Sequence, residues 1–463
     1  MIFRNKKLLF LILVIIVAAV FNFTGLGHRP LEDYDEATYA SVLQNSFESG
    51  DFLSFRHLGE NWFEKPPLLF WLTAASVKIF GLNEFALRFP SALFGLITAV
   101  LIYLLVLELI KDEKVALVSG IITVLIPPFT MAARNFRMDV PVAAAIIAAL
   151  YFLIKGWKNP KFLLGILPCV GLGIMFKSVI GLFALPILII WSAIYGQWKW
   201  LKNKYLWIGA VIAVLIAAPW HIHEAIKFGS YFWQNYLGYH ILERATQNIL
   251  GSGITVPYFL WVLWIYAQPL LPLLIFCAIF ISASLIKNGL REEYRAPLAA
   301  IISALFLFCV FAFAGTKLLT YFTPIYPFLA LLFAVVIFLQ SPKTRNWLLI
   351  LVLTISLASA IIEILWSPKL FITNFTYDEM LIGKFLKDNN DSKKIFIFDW
   401  PHPNAIRYYS NNPVDILQFN TSQIPTPPFW LVIPTVDLED NVFLENMKMP
   451  FSRQYLTLVY ISE

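Results

Sequence analysis

The chain has 463 residues, 59% of them hydrophobic, 16% aromatic and 14% charged, with a formal net charge of +6. Soluble globular chains carry about 45–50% apolar and about 25% charged residues, so this composition excludes a soluble enzyme and excludes disorder. The basic residues sit in short clusters between apolar runs, which is the signature of membrane topology rather than of nucleic-acid binding.

What remains is an all-α polytopic membrane protein. The first apolar run, 8–24, follows Arg4, Lys6 and Lys7 and lacks a small-residue cleavage site, so it reads as an uncleaved helix with its N-terminus inside. Further runs lie at 86–110, 115–133, 139–155, 162–176, 179–197, 205–220, 257–286, 297–315, 318–340 and 347–366, about eleven spans in all. The stretch 66–82 is short and broken by Lys78. If it does not span, Lys111/Lys114, Lys155/Lys158/Lys161, Lys199/Lys202/Lys204, Lys287/Arg291/Arg295 and Lys343/Arg345 all fall inside. It is therefore expected to lie as a helix in the outer interface, within a first outer loop over 26–85. The three cysteines, Cys169, Cys277 and Cys309, lie in apolar runs and imply neither a disulfide frame nor a metal cluster.

This topology gathers several charged groups on the outer face, at span ends where desolvation makes charge expensive. In Glu32-Asp33-Tyr34-Asp35-Glu36, Asp33 and Glu36 have the spacing of a capping box. Asp35 has no such duty and is a candidate base or ligand. In Trp62-Phe63-Glu64-Lys65-Pro66-Pro67, Glu64 and Lys65 form either a surface ion pair or an anion site at headgroup depth. Asp139, after Arg134 and Arg137, either caps a helix or joins Asp35. Lys177 sits in a short turn and either snorkels or binds. His240 and Arg244 are four apart, as are Lys317 and Tyr321, so each pair would share a helical face. An arginine so placed grips phosphate bidentately. Together these are two carboxylates and the cations Lys65, Lys177, Arg244 and Lys317, a set that suits a lipid phosphate.

After Trp366 the composition turns polar. Residues 377–388 have helical apolar spacing, 405–410 make a further helical turn, and 394–399, 429–433 and 455–461 read as strands. The expected organisation is a membrane domain over 1–366 and a small extracytoplasmic α/β domain over 367–463.

At Tyr34-Asp35-Glu36-Ala37-Thr38-Tyr39-Ala40, Ser49-Gly50-Asp51 and Phe63-Glu64-Lys65-Pro66-Pro67 the chain resembles the first outer loop of integral-membrane glycosyltransferases of GT-C fold. The groups it resembles are the protein O-mannosyltransferase family and the bacterial transferase that adds aminoarabinose to lipid A. The likeness runs in order through Arg88, Arg137-Met138-Asp139, the Lys177 turn, the His240/Arg244 loop and the segment 317–327. The resemblance implies a sugar donor linked to a polyprenyl phosphate, and transfer on the non-cytoplasmic side of the plasma membrane to a glycolipid such as lipid A, a cell-surface polymer or a protein hydroxyl. It implies that Asp35 is the catalytic acid–base position and Asp139 the second acidic position. Lys65 would hold the carrier phosphate with Arg244, Lys177, Lys317 and Tyr321, and Glu64 and His240 would hold a divalent metal ion. One departure is Lys177-Ser178, where the group has Lys-Gly. Asp35 acting alone as base opposite the leaving group would invert the anomeric carbon. The rival reading, a lipid or solute transporter, expects charges midway through spans and an internal repeat.

Overall fold

The protein is described here from a computed structural model, which describes residues 6–247, 270–370, 374–389, 393–398, 403–417, 426–435, 448–452 and 455–462. The described residues are mostly helical, and they divide into two compact units. The first holds 1–26, 63–76 and 88–363; the second holds 27–62, 77–87 and 364–463. The second is wider than the polar segment 367–463, because the stretch after the first helix belongs with it.

The elements run in this order. Helices α1 (Lys6–Phe23) and α2 (Asp35–Ser49) precede a hairpin of β1 (Arg56–His57) and β2 (Glu60–Asn61). Then come α3 (Leu68–Phe80), α4 (Glu84–Ile110), α5 (Glu113–Leu125), α6 (Pro127–Ala133), α7 (Asp139–Gly156), α8 (Ile166–Lys177), α9 (Ala184–Tyr195) and α10 (Lys204–Phe228). Next are α11 (Ser230–Trp233), a π-helix over Gln234–Glu243 and α12 (Arg244–Thr246), followed by α13 (Leu270–Asn288), α14 (Glu292–Phe313), a 3₁₀ segment over Leu319–Ile325, α15 (Tyr326–Phe338) and α16 (Pro342–Leu370).

Among the described residues seven helices are long and apolar enough to cross a membrane, or eight if α5 and α6, bent by 67°, form one span. At 13 residues α3 is about 20 Å long and does not bridge a hydrocarbon core of about 30 Å. The expected run 257–286 falls partly outside the described residues. The expected spans 162–176 and 179–197 lie in one 36-residue apolar run, Pro160–Tyr195, and that run doubles back. Ser178 has φ 51° and ψ −132°. The chain then returns so closely that a Cβ on Gly181 would stand 2.2 Å from the backbone of Gly173 and Ile174. Two glycines facing each other are what allow the legs of this hairpin to meet.

In the second unit α17 (Asn374–Asn389) and α18 (Asn404–Ser410) pack on one face of a five-stranded sheet. Its strands are β3 (Lys394–Phe398), β4 (Val414–Leu417), β5 (Phe429–Pro434), β6 (Lys448–Ser452) and β7 (Leu456–Ile461), in spatial order β4-β3-β5-β7-β6. The alternation is strict. Ile395, Ile397, Trp430, Val432 and Leu458 face a core with Ile382, Leu386 and Ile406, while Phe396, Phe429, Leu431 and Val459 form a second core. The sequence reading missed β4 and β6.

The expected capping box at α2 is absent. Tyr34 is the N-cap residue and provides no side-chain cap. Asp33 instead accepts a hydrogen bond from the Ala405 amide, in the first turn of α18, whose own N-cap residue, Pro403, provides no side-chain cap. Asp33 thus caps a helix 372 positions away. Glu36 reaches back to the Glu32 amide at 3.2 Å.

The backbone at Ser178 lies in a region that favours glycine, at a cost of about 1–3 kcal/mol for other residues. Its hydroxyl also hydrogen-bonds the Tyr236 side chain. Ser178→Ala keeps the strain and loses the bond; Ser178→Gly loses both. Thermal unfolding of the detergent-purified variants is expected to rank Ser178→Ala below Ser178→Gly by about 1–2 kcal/mol, with Gly near the parent.

Candidate functional site

The first unit assembles its charged residues into one continuous chain of contacts. At the entry to α3, Glu64 Oε1 accepts from Lys65 Nζ at 2.6 Å and from Arg244 Nη1 at 2.9 Å. Arg244 is also hydrogen-bonded to Tyr321. The Tyr321 ring lies under Lys177 Nζ, 4.9 Å from its centroid. Lys177 is 8% exposed and pairs with Asp139 Oδ1. Asp139 Oδ2 accepts from Arg137 Nε at 3.3 Å, and Arg137 Nη2 donates to Thr320 Oγ1 at 3.0 Å. Lys65 is near enough to Lys177 for their charges to repel.

Local structure explains the placement. Asp139 opens α7 and Lys177 closes α8, so each charge stands at the helix end whose dipole favours it. Asp139 is not the cap of α7, because Met138 occupies that position without a side-chain bond. Lys177 does not snorkel; it is buried and paired. The π-helix that carries His240 delivers Arg244, and π segments of this kind occur frequently at functional sites. Phe63 is clasped by Phe228, Tyr231 and Phe232 at centroid distances of 5.1–5.7 Å, which fixes the backbone beside Glu64. Trp220 and Tyr236 complete that cluster, and Tyr236 is 3.0 Å from His221 Nε2.

The electrostatics are one-sided. Lys65, Arg137, Lys177 and Arg244 face Glu64 and Asp139, four cations to two carboxylates. Burial alone would raise Glu64, but Lys65 and Arg244, then His240, hold its carboxyl well below the usual range. Burial would weaken the proton on Arg244, and Glu64 and Tyr321 overcome it, raising its pKa. Burial pushes the His240 imidazole down to about 4, with Glu64 opposing and Arg244 and Lys65 reinforcing the fall. His240 is therefore neutral at pH 7. Two buried atoms of this wall, His240 Nδ1 and Arg244 Nε, have no hydrogen-bond partner among the described residues.

Two sequence expectations fare differently. Lys317 does not share a helical face with Tyr321, because the segment Leu319–Ile325 is a 3₁₀ helix that starts after an extended Leu318. Its ammonium donates to the Ala314 carbonyl at 2.9 Å. The metal expectation for Glu64 and His240 meets a poor donor set. Among the described residues no three metal-ligating side chains converge, and Glu64 Oε1 already receives two cations. A divalent ion here would add positive charge to a site already rich in it, and these residues do not fit one. Thr320 and the bridging position of Tyr321 were not singled out from sequence; Arg137 was noted beside Asp139, but no role was assigned to it. Arg88 and Arg134 are spent on structure, donating to the Leu26 and Phe21 carbonyls near the C-terminal end of α1.

Asp35 belongs to the second unit, where it opens α2 and is half-buried. Burial pushes its neighbour Asp33 up to about 6, against the lowering by the Ala405 amide and Arg407.

Between pH 6.5 and about 4 the unfolded chain binds a proton at His240 that the folded chain refuses. This part of the stability is present above pH 6.5 and is lost as the pH falls through that window. His240→Gln is expected to flatten the decline of the melting temperature across it, relative to the parent, in thermal unfolding at stepped pH.

Residues 64–223 match the family described as dolichyl-phosphate-mannose-protein mannosyltransferase. The undecaprenyl phosphate-alpha-4-amino-4-deoxy-L-arabinose arabinosyl transferase of Aeromonas hydrophila is 29% identical over 332 residues, covering 68% of this chain and 57% of that protein, so the chain spans little more than half the length of this relative. The crystal structure of ArnT from Cupriavidus metallidurans bound to undecaprenyl phosphate superposes with TM-score 0.74 at 18% identity, over 97% of each chain. The apo oligosaccharyltransferase of Archaeoglobus fulgidus superposes with TM-score 0.59 at 12% identity, over 94% of this chain and 70% of that one. The chain is a multi-pass membrane protein with the GT-C fold, and it resembles the protein O-mannosyltransferase family and the bacterial aminoarabinose transferases.

Proposed function

We propose that the protein transfers a sugar from a polyprenyl-phosphate carrier to a hydroxyl acceptor. The observation that carries this reading is the excess of cations, four against two carboxylates, with side chains only 9–18% exposed, in a wall that also holds unbonded His240 Nδ1 and Arg244 Nε. Uncompensated buried charge is costly, and an anion relieves it. The phosphodiester of a sugar-loaded carrier bears one negative charge; the departing phosphate monoester bears about −1.5 to −2 at pH 7. The surplus cations thus match the leaving group better than the ground state, which is the requirement for catalysis.

In this mechanism Lys65 and Arg244 meet the phosphate oxygens. Glu64 holds both in place, and Tyr321 links them to Lys177, which takes part in the same field. Asp139 anchors Lys177 and Arg137; both its oxygens are engaged, so accepting a proton would first break an ion pair. Asp35 removes the proton of the acceptor hydroxyl, and attack opposite the leaving phosphate inverts the anomeric carbon. Residue 35 carries this role by its place in the first-loop motif. The carrier's apolar tail needs only a groove between helices, and the chain needs no nucleotide site.

The topology proposed with it has eleven spans. It counts α1, α4, the bent α5–α6 pair, α7, both legs of the Pro160–Tyr195 hairpin, α10, the run 257–286, α14, the Leu319–Phe338 run and α16. It places the first loop and 367–463 on the extracytoplasmic face of the plasma membrane. The acceptor is a glycolipid such as lipid A, a cell-surface polymer or a protein hydroxyl.

Titrating the detergent-purified protein with undecaprenyl phosphate under native mass spectrometry tests the phosphate site. Lys65→Ala and Arg244→Ala are each expected to weaken binding about 10-fold or more, as the loss of a charge-assisted hydrogen bond implies. Unchanged affinity in both removes the assignment. With a sugar-loaded carrier that the parent turns over, Asp35→Asn is expected to bind normally and react about 10²–10⁴-fold more slowly. Near-parental turnover in that variant would rule Asp35 out as the base.

A further inference from the structure

The second unit contains a cavity of about 580 Å³ to which nothing above gives a task. It lies between α2, the tip of the β1–β2 hairpin and the turn that joins α18 to β4. Its α2 wall is the stripe Ser41, Gln44, Asn45 and Glu48, spaced i, i+3, i+4 and i+7 on one helical face. A helix face turned toward another element is ordinarily apolar; this one is polar throughout, while the same helix buries Ala37, Ala40 and Leu43 elsewhere.

The opposite wall is built rather than loose. Arg407 donates through Nε to the Val414 carbonyl at 2.8 Å and through Nη1 to Asn404 Oδ1 at 3.2 Å, which ties α18 to β4. Asn411 ends α18 in a left-handed conformation, φ 55° and ψ 33°, which asparagine tolerates. Gln44 Nε2 donates to Asn411 Oδ1 and spans the cavity from wall to wall. Ser41 Oγ is buried with no hydrogen-bond partner among the described residues. A second hollow of about 360 Å³ shares Asn45 and Gly59 with the first and continues the polar lining to Asp51 and Arg56.

The chemistry of the lining selects a ligand class. Its charged side chains are Glu48, Asp415 and Arg407, with no cation surplus, so it is unlike the phosphate site. Amides and hydroxyls both donate and accept, the pairing that a ring of hydroxyl groups requires. The volume lies within the range of small-molecule sites, about 300–1,000 Å³. We infer that this cavity is a saccharide subsite, which binds the hydroxyl-bearing glycan portion of the acceptor. The inference rests on the transferase reading and adds to it the acceptor's chemical class: a glycolipid or polysaccharide rather than a bare polypeptide.

The test uses the full chain in nanodiscs and saturation-transfer NMR with three probes at millimolar concentration: mannotriose, chitotriose and a serine-rich hexapeptide. At least one trisaccharide is expected to receive saturation and the peptide none. Glu48→Gln, at an exposed rim position, and Ser41→Leu, which fills the wall, are each expected to weaken that signal about three- to tenfold, as the loss of one ligand hydrogen bond implies. Undecaprenyl phosphate affinity should stay unchanged in both variants. Absence of saturation on either trisaccharide, a signal indifferent to both variants, or saturation of the peptide alone overturns the subsite. Loss of undecaprenyl phosphate binding by the parent instead overturns the transferase reading, so the two failures are distinguishable.

Discussion

The bond on which the rest depends is the pair of hydrogen bonds that Glu64 Oε1 accepts from Lys65 and Arg244. A buried ion pair is a weak source of stability, because desolvation costs offset most of the Coulombic gain. Its value here is positional. One carboxylate oxygen brings together its chain neighbour Lys65, at the start of α3, and Arg244, just past the π-helix and 180 positions from Glu64. Tyr321 then extends the array, bonding Arg244 and lying beneath Lys177. Each cation is held by a partner that an incoming phosphate does not have to displace, since Lys has three donors and Arg five. Preorganised donors of this kind stabilise developing charge without reorganisation at the moment of reaction.

The backbone makes that array affordable. Asp139 and Lys177 sit at the favourable ends of α7 and α8, so the helix dipoles offset part of their desolvation. The Ser178 reversal places Lys177 at the end of its helix, and the facing Gly173 and Gly181 let the two legs close against each other. Where the resembling transferases have glycine after this lysine, serine here retains a strained backbone and gains a bond to Tyr236, which is itself beside His221. The turn below the cation array and the aromatic cluster that clasps Phe63 are thereby linked through one hydroxyl.

The parts of the fold that were legible in sequence are those written locally. Apolar runs follow bilayer thickness, strand alternation follows the pleat, and the order of short motifs carried the resemblance. The 66–82 stretch was assigned to an interfacial helix by charge alternation, and α3 proves too short to span. What sequence spacing missed depends on partners far away in the chain. Asp33 has the spacing of a local cap, but its partner lies at Ala405. Lys177 looks like a snorkelling residue until its contact with Asp139 is known. Lys317 and Tyr321 have α-helical spacing, but the chain there winds as a 3₁₀ helix, and the pair separates. β4 and β6 are short segments whose strand character comes from pairing with β3 and β7.

The acidic cluster at the start of α2 is where local ambiguity and long-range structure meet. Three carboxylates stand within four positions, and spacing alone leaves their duties interchangeable. The fold separates them by access. Asp33 is 8% exposed and bonded to the first turn of α18, and Glu36 is fully buried with an oxygen on the Glu32 amide. Both are held by backbone partners: the Asp33 bond ties the entry of α2 to α18, and the Glu36 bond closes the turn that leads into α2. Of these three, Asp35 alone keeps partial exposure. A general base must reach the proton it removes, within hydrogen-bond distance of a substrate atom. A carboxylate spent on backbone amides inside the fold does not meet that condition, whatever its proton affinity. Asp33, although burial raises its pKa, is thus the poorer candidate, and access agrees with the place of Asp35 in the first-loop motif.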